Sequence, residues 1–168
     1  AVAAPPMKGW SALRTALAFV ILVVLHYTLR PMLAWRAEPD FLLIATLLVA
    51  IRVRPGTAAL LGFALGLISD SLTVHAFGAG ALALTLVAFA ASWLKAVFFA
   101  DNAALNAFFF FVGKWAFNTI YLIVEHRFTG GELVARIFVW SVLSAAVTAF
   151  IGLAVLLILR PILRPSTS

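Results

Sequence analysis

The chain has 168 residues, of which 65% are hydrophobic and 11% charged, with 12 Lys and Arg against 6 Asp and Glu and a formal charge of +6. Mean hydropathy is +1.14, and a water-soluble domain of this size has no means of hiding so much apolar surface, so the bilayer has to be the solvent. The absence of cysteine excludes disulfides, iron–sulfur clusters and thiolate sites, and the basic residues stand as singles and pairs at the ends of apolar runs, a membrane-anchor pattern that argues against nucleic acid.

Breaking the chain at charges, Pro and Gly predicts six apolar helical segments in a single integral membrane domain over 1–168, at about 12–29, 40–53, 57–69, 78–99, 104–124 and 134–159. The first follows Lys8 and Arg14 and is longer than a signal-peptide core, with no small-residue cleavage site close behind, so it reads as a retained span. Segments 12–29, 78–99, 104–124 and 134–159 suit a bilayer crossing, which takes about 20 residues. The second and third are short, reaching roughly 20 Å each against a hydrocarbon core of about 30 Å. RVRPG (52–56) joins them: Pro-Gly makes the turn and the arginines hold it at a headgroup surface. The pair is therefore a tight hairpin whose far ends, Asp40 and Asp70, stop below the opposite surface.

Lys and Arg set orientation. Lys8, Arg14, Arg52, Arg54, Lys95, Arg160 and Arg164 fall on one side, against Arg30, Arg36, Arg127 and Arg136 on the other. Both termini of this multi-pass chain are expected in the cytoplasm. No connection is long enough to build a soluble catalytic or docking domain.

Within the third segment Gly62, Gly66 and Asp70 recur every four residues and share one helix face. Small residues at that spacing let a second helix backbone approach closely, where van der Waals packing replaces the hydrophobic effect that lipid cannot supply. Asp70 reads either as an interfacial cap or as a deep carboxylate in need of a partner. The fifth segment carries Lys114 in mid-span, followed by Asn118, Tyr121 and Glu125 along one stripe. An intramembrane lysine marks a functional site or a structural ion pair; depth predicts Asp70 as its first partner and Asp40 as its second. Ser144, Thr148 and Gly152 form a packing ridge on the sixth segment, and FFFF (108–111) surrounds its helix, so some of those rings face lipid or a partner. His26, His75 and His126 lie near segment ends without the paired spacing of a metal site and read as interfacial.

Enzyme signatures such as HExxH, GxSxG or a phosphate-cradling glycine loop are missing from the sequence. With six acids and three histidines, few catalytic constellations can be assembled, and no enzyme activity or cofactor is expected.

The Pro39-Asp40 pair opening an apolar segment, the turn IRVRPG, then GFALGLISD and FGAGALALTLVAF resemble the MreD family of bacterial rod shape-determining membrane proteins. The family motif falls here on Pro39, Asp40, Gly62, Gly66 and Asp70; Lys114 and Asn118 rest on physical grounds alone. The resemblance implies an all-α polytopic bundle of about six transmembrane helices, similar to the substrate-capture subunits of energy-coupling-factor transporters. It also implies a non-enzymatic scaffold or regulator of the elongation machinery. Its direct partner would be the single-span MreC, and through it the machinery of MreB, RodA and a class B penicillin-binding protein, in contact with membrane lipids. The alternative is a substrate-capture subunit of a small-molecule, vitamin-type transporter. A scaffold requires helix faces that fit partner helices, whereas a carrier requires a polar cavity open to one side. Asp40, Asp70 and Lys114 suit either: they line such a cavity, or they lock the hairpin to the fifth segment and leave a lateral groove.

Overall fold

The computed structural model describes residues 8–29, 40–72, 77–98 and 102–163. Pro39, the 30–38 stretch with Arg30, Arg36 and Glu38, His75, Asp101 and Arg164 lie outside the described residues. Helix α1 is Lys8–Leu29, α2 Phe41–Ala50, α3 Pro55–Ser71, α4 Ala79–Phe98, α5 Ala103–Glu125 and α6 Gly131–Ala135; a π-helical turn, Arg136–Trp140, then runs into α7, Ser141–Leu163. Every regular element among the described residues is helical. By length and composition Ala103–Glu125 and Gly131–Leu159 suffice to cross a membrane, while Ala16–Thr28, Phe41–Ala50 and Ala79–Leu94 are shorter apolar stretches.

Local chemistry sets the boundaries. Asp40 caps α2, its Oδ1 accepting the Leu43 N–H at 3.0 Å, and Asn102 caps α5, its Oδ1 accepting the Ala104 N–H at 2.9 Å. Pro55 opens α3 in its first turn, where a missing N–H costs nothing. His126 ends α5 in the left-handed conformation, φ 53°.

Helix α2 is the centre. Of its ten residues only Val49 is not fully buried, and α1, α3, α4, α5 and α7 all pack against it. Leu43, Ile44 and Leu47 are almost wholly enclosed, as are Leu84 of α4 and Phe110 of α5. The outward faces are apolar: Leu60, Trp93, Phe138, Phe150 and Ile158 are each more than three-fifths exposed. A chain with its apolar side chains both inside and outside is built for a hydrocarbon solvent. Within FFFF, Phe109 and Phe110 are buried and Phe108 faces outward.

The tightest packing joins α3 to α4. Gly62 and Gly66 lie on the buried face of α3, and a Cβ on either would collide with α4 backbone: the Leu84 carbonyl for Gly62, the Ala81 backbone for Gly66. The two backbones touch, so neither glycine tolerates a side chain. Gly152 of α7 meets the Phe110 ring of α5 in the same way, a Cβ there falling 2.8 Å from Cγ. At the cytoplasmic turn of the expected orientation, Ser92 Oγ donates to the Val53 carbonyl at 2.8 Å and ties the hairpin to α4.

Gly66→Leu should therefore lower stability by about 3 kcal/mol, the upper range for overpacking. Gly56→Ala, where nothing lies within 4 Å of the added carbon, should leave stability unchanged or slightly raised. Thermal unfolding of both variants in detergent checks this; equal melting would rule out backbone contact as the basis of the α3–α4 pair.

Candidate functional site: a buried charge cluster

Two acids sit deep in the bundle, and each meets a helix N-terminus. Asp70, 2% exposed at the end of α3, accepts three backbone N–H bonds from the start of α4. Its Oδ2 takes Gly78 and Ala81, both at 2.9 Å, and its Oδ1 takes Gly80 at 3.1 Å. The first turn of a helix has four N–H groups with no intrahelical acceptor, and in an apolar medium each costs free energy unless paired. The positive end of the helix dipole also favours the carboxylate. Gly80 leaves the space that the carboxylate fills, because a Cβ there would overlap Oδ1. Gly78, at φ 99°, makes the turn that aims these amides at it.

Lys114 pairs with Asp40, not with Asp70 as depth alone suggested. Its Nζ lies 2.7 Å from Asp40 Oδ2, with both side chains largely buried, and 4.9 Å from the centroid of the Phe117 ring. Depth was a poor guide because Asp70 is turned toward α4 by its three backbone donors, while α2 carries the Asp40 carboxylate into the bundle beside α5. Asp40 is held from several directions. Its backbone N–H donates to Thr148 Oγ1 of α7 at 3.3 Å, its carbonyl accepts the Ile44 N–H at 3.0 Å, and its Oδ1 caps α2.

His26 of α1, expected at the interface, is instead buried at 5% exposed. Its Nδ1 accepts the Leu42 N–H at 3.4 Å and lies 3.6 Å from Asp40 Oδ1. Nothing in the spacing of α1 marks it out: only the approach of α2 brings the ring to the cluster. Thr148 was read as packing surface, and it is also a hydrogen-bond acceptor. Asn118, one turn beyond Lys114, is half-buried and makes none of the cluster's hydrogen bonds. Tyr121 stacks on Phe117, with ring centroids 6.0 Å apart, and Glu125 lies 3.8 Å from Arg127. The Lys114–Glu125 stripe therefore divides between the core and the α5–α6 connection. His126 is exposed in that connection, its Nδ1 3.0 Å from the Ile123 carbonyl oxygen.

With Asp40 and Lys114 engaged with each other and Asp70 with backbone amides, the arrangement fixes how the helices meet. Lys114→Met should cost about 3–5 kcal/mol by leaving Asp40 buried and unpaired. Adding Asp40→Asn, which removes the charge but keeps a capping oxygen, should restore most of that loss. A double-mutant cycle on thermal unfolding reads the coupling, and additive losses would mean that the pair is not energetically linked. Asp70→Leu strands three amides at about 1–3 kcal/mol each and should unfold the α3–α4 pair, whereas Asp70→Asn should retain part of the cap. Unchanged melting in Asp70→Leu would refute the capping role.

The model of the family described as "MreD: rod shape-determining protein MreD" matches residues 10–165. No curated protein and no solved structure matches. That match takes in the α2–α3 hairpin, the glycine contacts with α4, both deep acids and the lysine beside Asp40: the chain belongs to the MreD family of rod shape-determining proteins.

Proposed function

We propose that this protein is a non-enzymatic scaffold of the rod-shape system, with six membrane-crossing or half-crossing segments and both termini in the cytoplasm. On this reading it holds the transmembrane helix of an MreC-like single-span partner in a lateral groove and supports wall synthesis by RodA and its penicillin-binding protein indirectly. Family membership supplies the process. The observation that carries the mode of action is a cavity of about 400 Å³ between α4 and α5, lined by Leu86, Phe89, Leu94, Phe109, Val112 and Ile120, with Leu47 of α2 also on its wall.

Its lining is apolar throughout, which suits hydrocarbon side chains and offers nothing to orient a polar small molecule. Ala90, Ala91, Gly113 and Ala116 also line it; such small residues let a partner helix come close, since packing rather than burial from water drives association in lipid. The charge cluster supports the same reading. A carrier would leave Asp40 and Lys114 open to solute, whereas here the two are within 2.7 Å of each other. At the start of the last long helical stretch, Glu132 and Arg136 pair at 3.1 Å and the Arg136 guanidinium lies 3.7 Å over the Phe128 ring. This ordered corner near 127–136 would be the shallow outer contact for the partner. The expected likeness to energy-coupling-factor capture subunits would place the same bundle in a different assembly.

Ala90→Trp fills the groove from an exposed position and should cut recovery of the partner from native membranes at least fivefold without lowering the melting temperature. Leu60→Trp, on the outer face of α3, should do neither. Full recovery with Ala90→Trp would remove the groove from the interface. Retention of a transmembrane coupling subunit with paired ATPases by the wild-type chain would make it a capture subunit instead.

A further inference from the structure

The helical stretch that runs from α6 into α7 is interrupted by one π-helical turn, Arg136–Trp140. Nothing local asks for it: RIFVW holds neither Pro nor Gly, the usual causes of a break. The Ser141 N–H donates to the Arg136 carbonyl, five residues back, where an α-helix would use that of Ile137, four back. One carbonyl therefore drops out of the ladder. That of Ile137 accepts the Trp115 Nε1–H of α5 instead, at 3.2 Å. In an apolar medium a carbonyl without a donor is costly, so the indole supplies from another helix the bond that the π-turn forgoes.

The consequence is a direction. A π-turn holds one residue more than the α-helical path it replaces, and each α-helical residue advances about 100° and about 1.5 Å. Closing the turn to α with the chain intact would swing α6 by about that angle around the axis of α7. Little else sets how α6 points. None of its residues is buried, and its main packing is against the π-turn. It starts from Gly130, at φ 61°, and Gly131, where a Cβ would meet nothing within 4 Å. The corner it forms carries Glu132 and Arg136, paired at 3.1 Å, with the guanidinium over the Phe128 ring.

We propose that Trp115 is the positioning residue of this corner: its indole N–H holds the π-turn open and so sets the direction in which Glu132 and Arg136 face. The register is a property of this chain alone; its use, aiming the corner at the partner, rests on the reading of 127–136 as the outer contact. Trp115 stands between Lys114, paired with Asp40, and Ala116 of the groove wall. One short stretch of α5 thus joins the charge cluster, the groove and the corner.

The test uses the extra residue. Deleting Val139, which faces outward, leaves Ser141 four residues after Arg136, so their bond becomes an ordinary α-helical one. Ile137 then returns to the ladder and α6 keeps its direction. Trp115→Phe retains an aromatic ring and removes the donor. Each change alone should lower the melting temperature of the full chain in detergent by about 5 °C, one leaving the Ile137 carbonyl unpaired and the other the indole. Combined they strand neither group, and the double variant should melt above both singles. Additive losses, the result if Trp115 only packs, overturn the proposal. Nitrogen-15 spectra of the wild-type indoles, assigned by replacing the other four tryptophans with Phe, need no Trp115 variant. The Trp115 N–H should show the shift of a hydrogen-bonded donor, and a free indole there overturns the proposal equally. Recovery of the single-span partner from native membranes should fall about fivefold in Trp115→Phe, the low end of coupling between sites, and return in the double variant. Recovery unchanged in Trp115→Phe, or lost without return, overturns the aiming role. Ala90→Trp reads the groove separately: failure there leaves the melting cycle to decide the register, and failure of the corner leaves the groove standing.

Discussion

The constraint on which the rest depends is the satisfaction of the start of α2. A ten-residue helix is about 15 Å long, half the hydrocarbon thickness, and its first turn lies inside the bundle, Phe41 to Ile44 all being buried. Amides enclosed among apolar side chains need acceptors from the protein itself. The chain meets the demand with Asp40 in the helix's own cap position and His26 from α1, which accept the Leu43 and Leu42 amides, while Lys114 from α5 neutralises Asp40. Each is expensive to bury alone. Together they leave no net charge, and they pin α1, α2 and α5 in one register. Asp70 solves the same problem for α4, reaching across from the end of α3 to three amides. Asp40 and Asp70 are thus both helix caps, which gives a physical reason for a chain with only six acids to keep these two carboxylates within its bundle.

Close packing then does the work that the hydrophobic effect does in water. Association between helices in lipid depends on contact quality, and here the contacts are backbone to backbone at Gly62 and Gly66 and glycine to ring at Gly152. The cap and the glycines are coupled. Only when α3 lies flush against α4 does Asp70 come within hydrogen-bond distance of Gly78, Gly80 and Ala81. A side chain on Gly66 would part the helices and break the cap with them, so the GxxxGxxxD spacing acts as one device rather than as a packing motif followed by an acid.

This device explains what the sequence could and could not reveal. The helical class follows from composition and apolar run length, and the face shared by Gly62, Gly66 and Asp70 follows from the helical repeat, because both are local properties of the chain. The resemblance carried by the hairpin pointed to the family for the same reason, its motif being contiguous. The partner of Lys114 is not local. Depth ranks Asp70 above Asp40, but an acid's availability depends on what else it binds, and the three amide donors of Gly78, Gly80 and Ala81 are invisible until α4 is placed. The burial of His26, expected at the interface, is hidden for a related reason: its polar neighbours lie on helices whose approach to α1 no spacing within α1 records. The π-helical turn at Arg136–Trp140, where Trp115 Nε1 donates to the Ile137 carbonyl at 3.2 Å, is likewise a tertiary feature, since its sequence RIFVW would suit an ordinary helix.

Because the deep charges are spent internally, electrostatics contributes little to what the lateral faces can recognise. The faces toward lipid offer Leu, Phe, Ile and Trp, chemistry that every transmembrane helix shares, so a scaffold made this way has to discriminate by shape. The α4–α5 cavity is a departure from that uniform surface in which a concave wall meets small residues at Ala90, Gly113 and Ala116. The wall also includes Leu47, part of the helix whose start is held by Asp40, His26 and Lys114. Gly113 lies against that leucine, a Cβ there falling 2.8 Å from its Cδ1, one residue before Lys114 in α5. The cluster and the groove therefore share two helices, and any movement of α2 relative to α5 that opens the ion pair must also reshape the groove wall. On the proposed reading of the α4–α5 cavity as the partner's groove, the buried charges would set the form of that wall without touching what binds there.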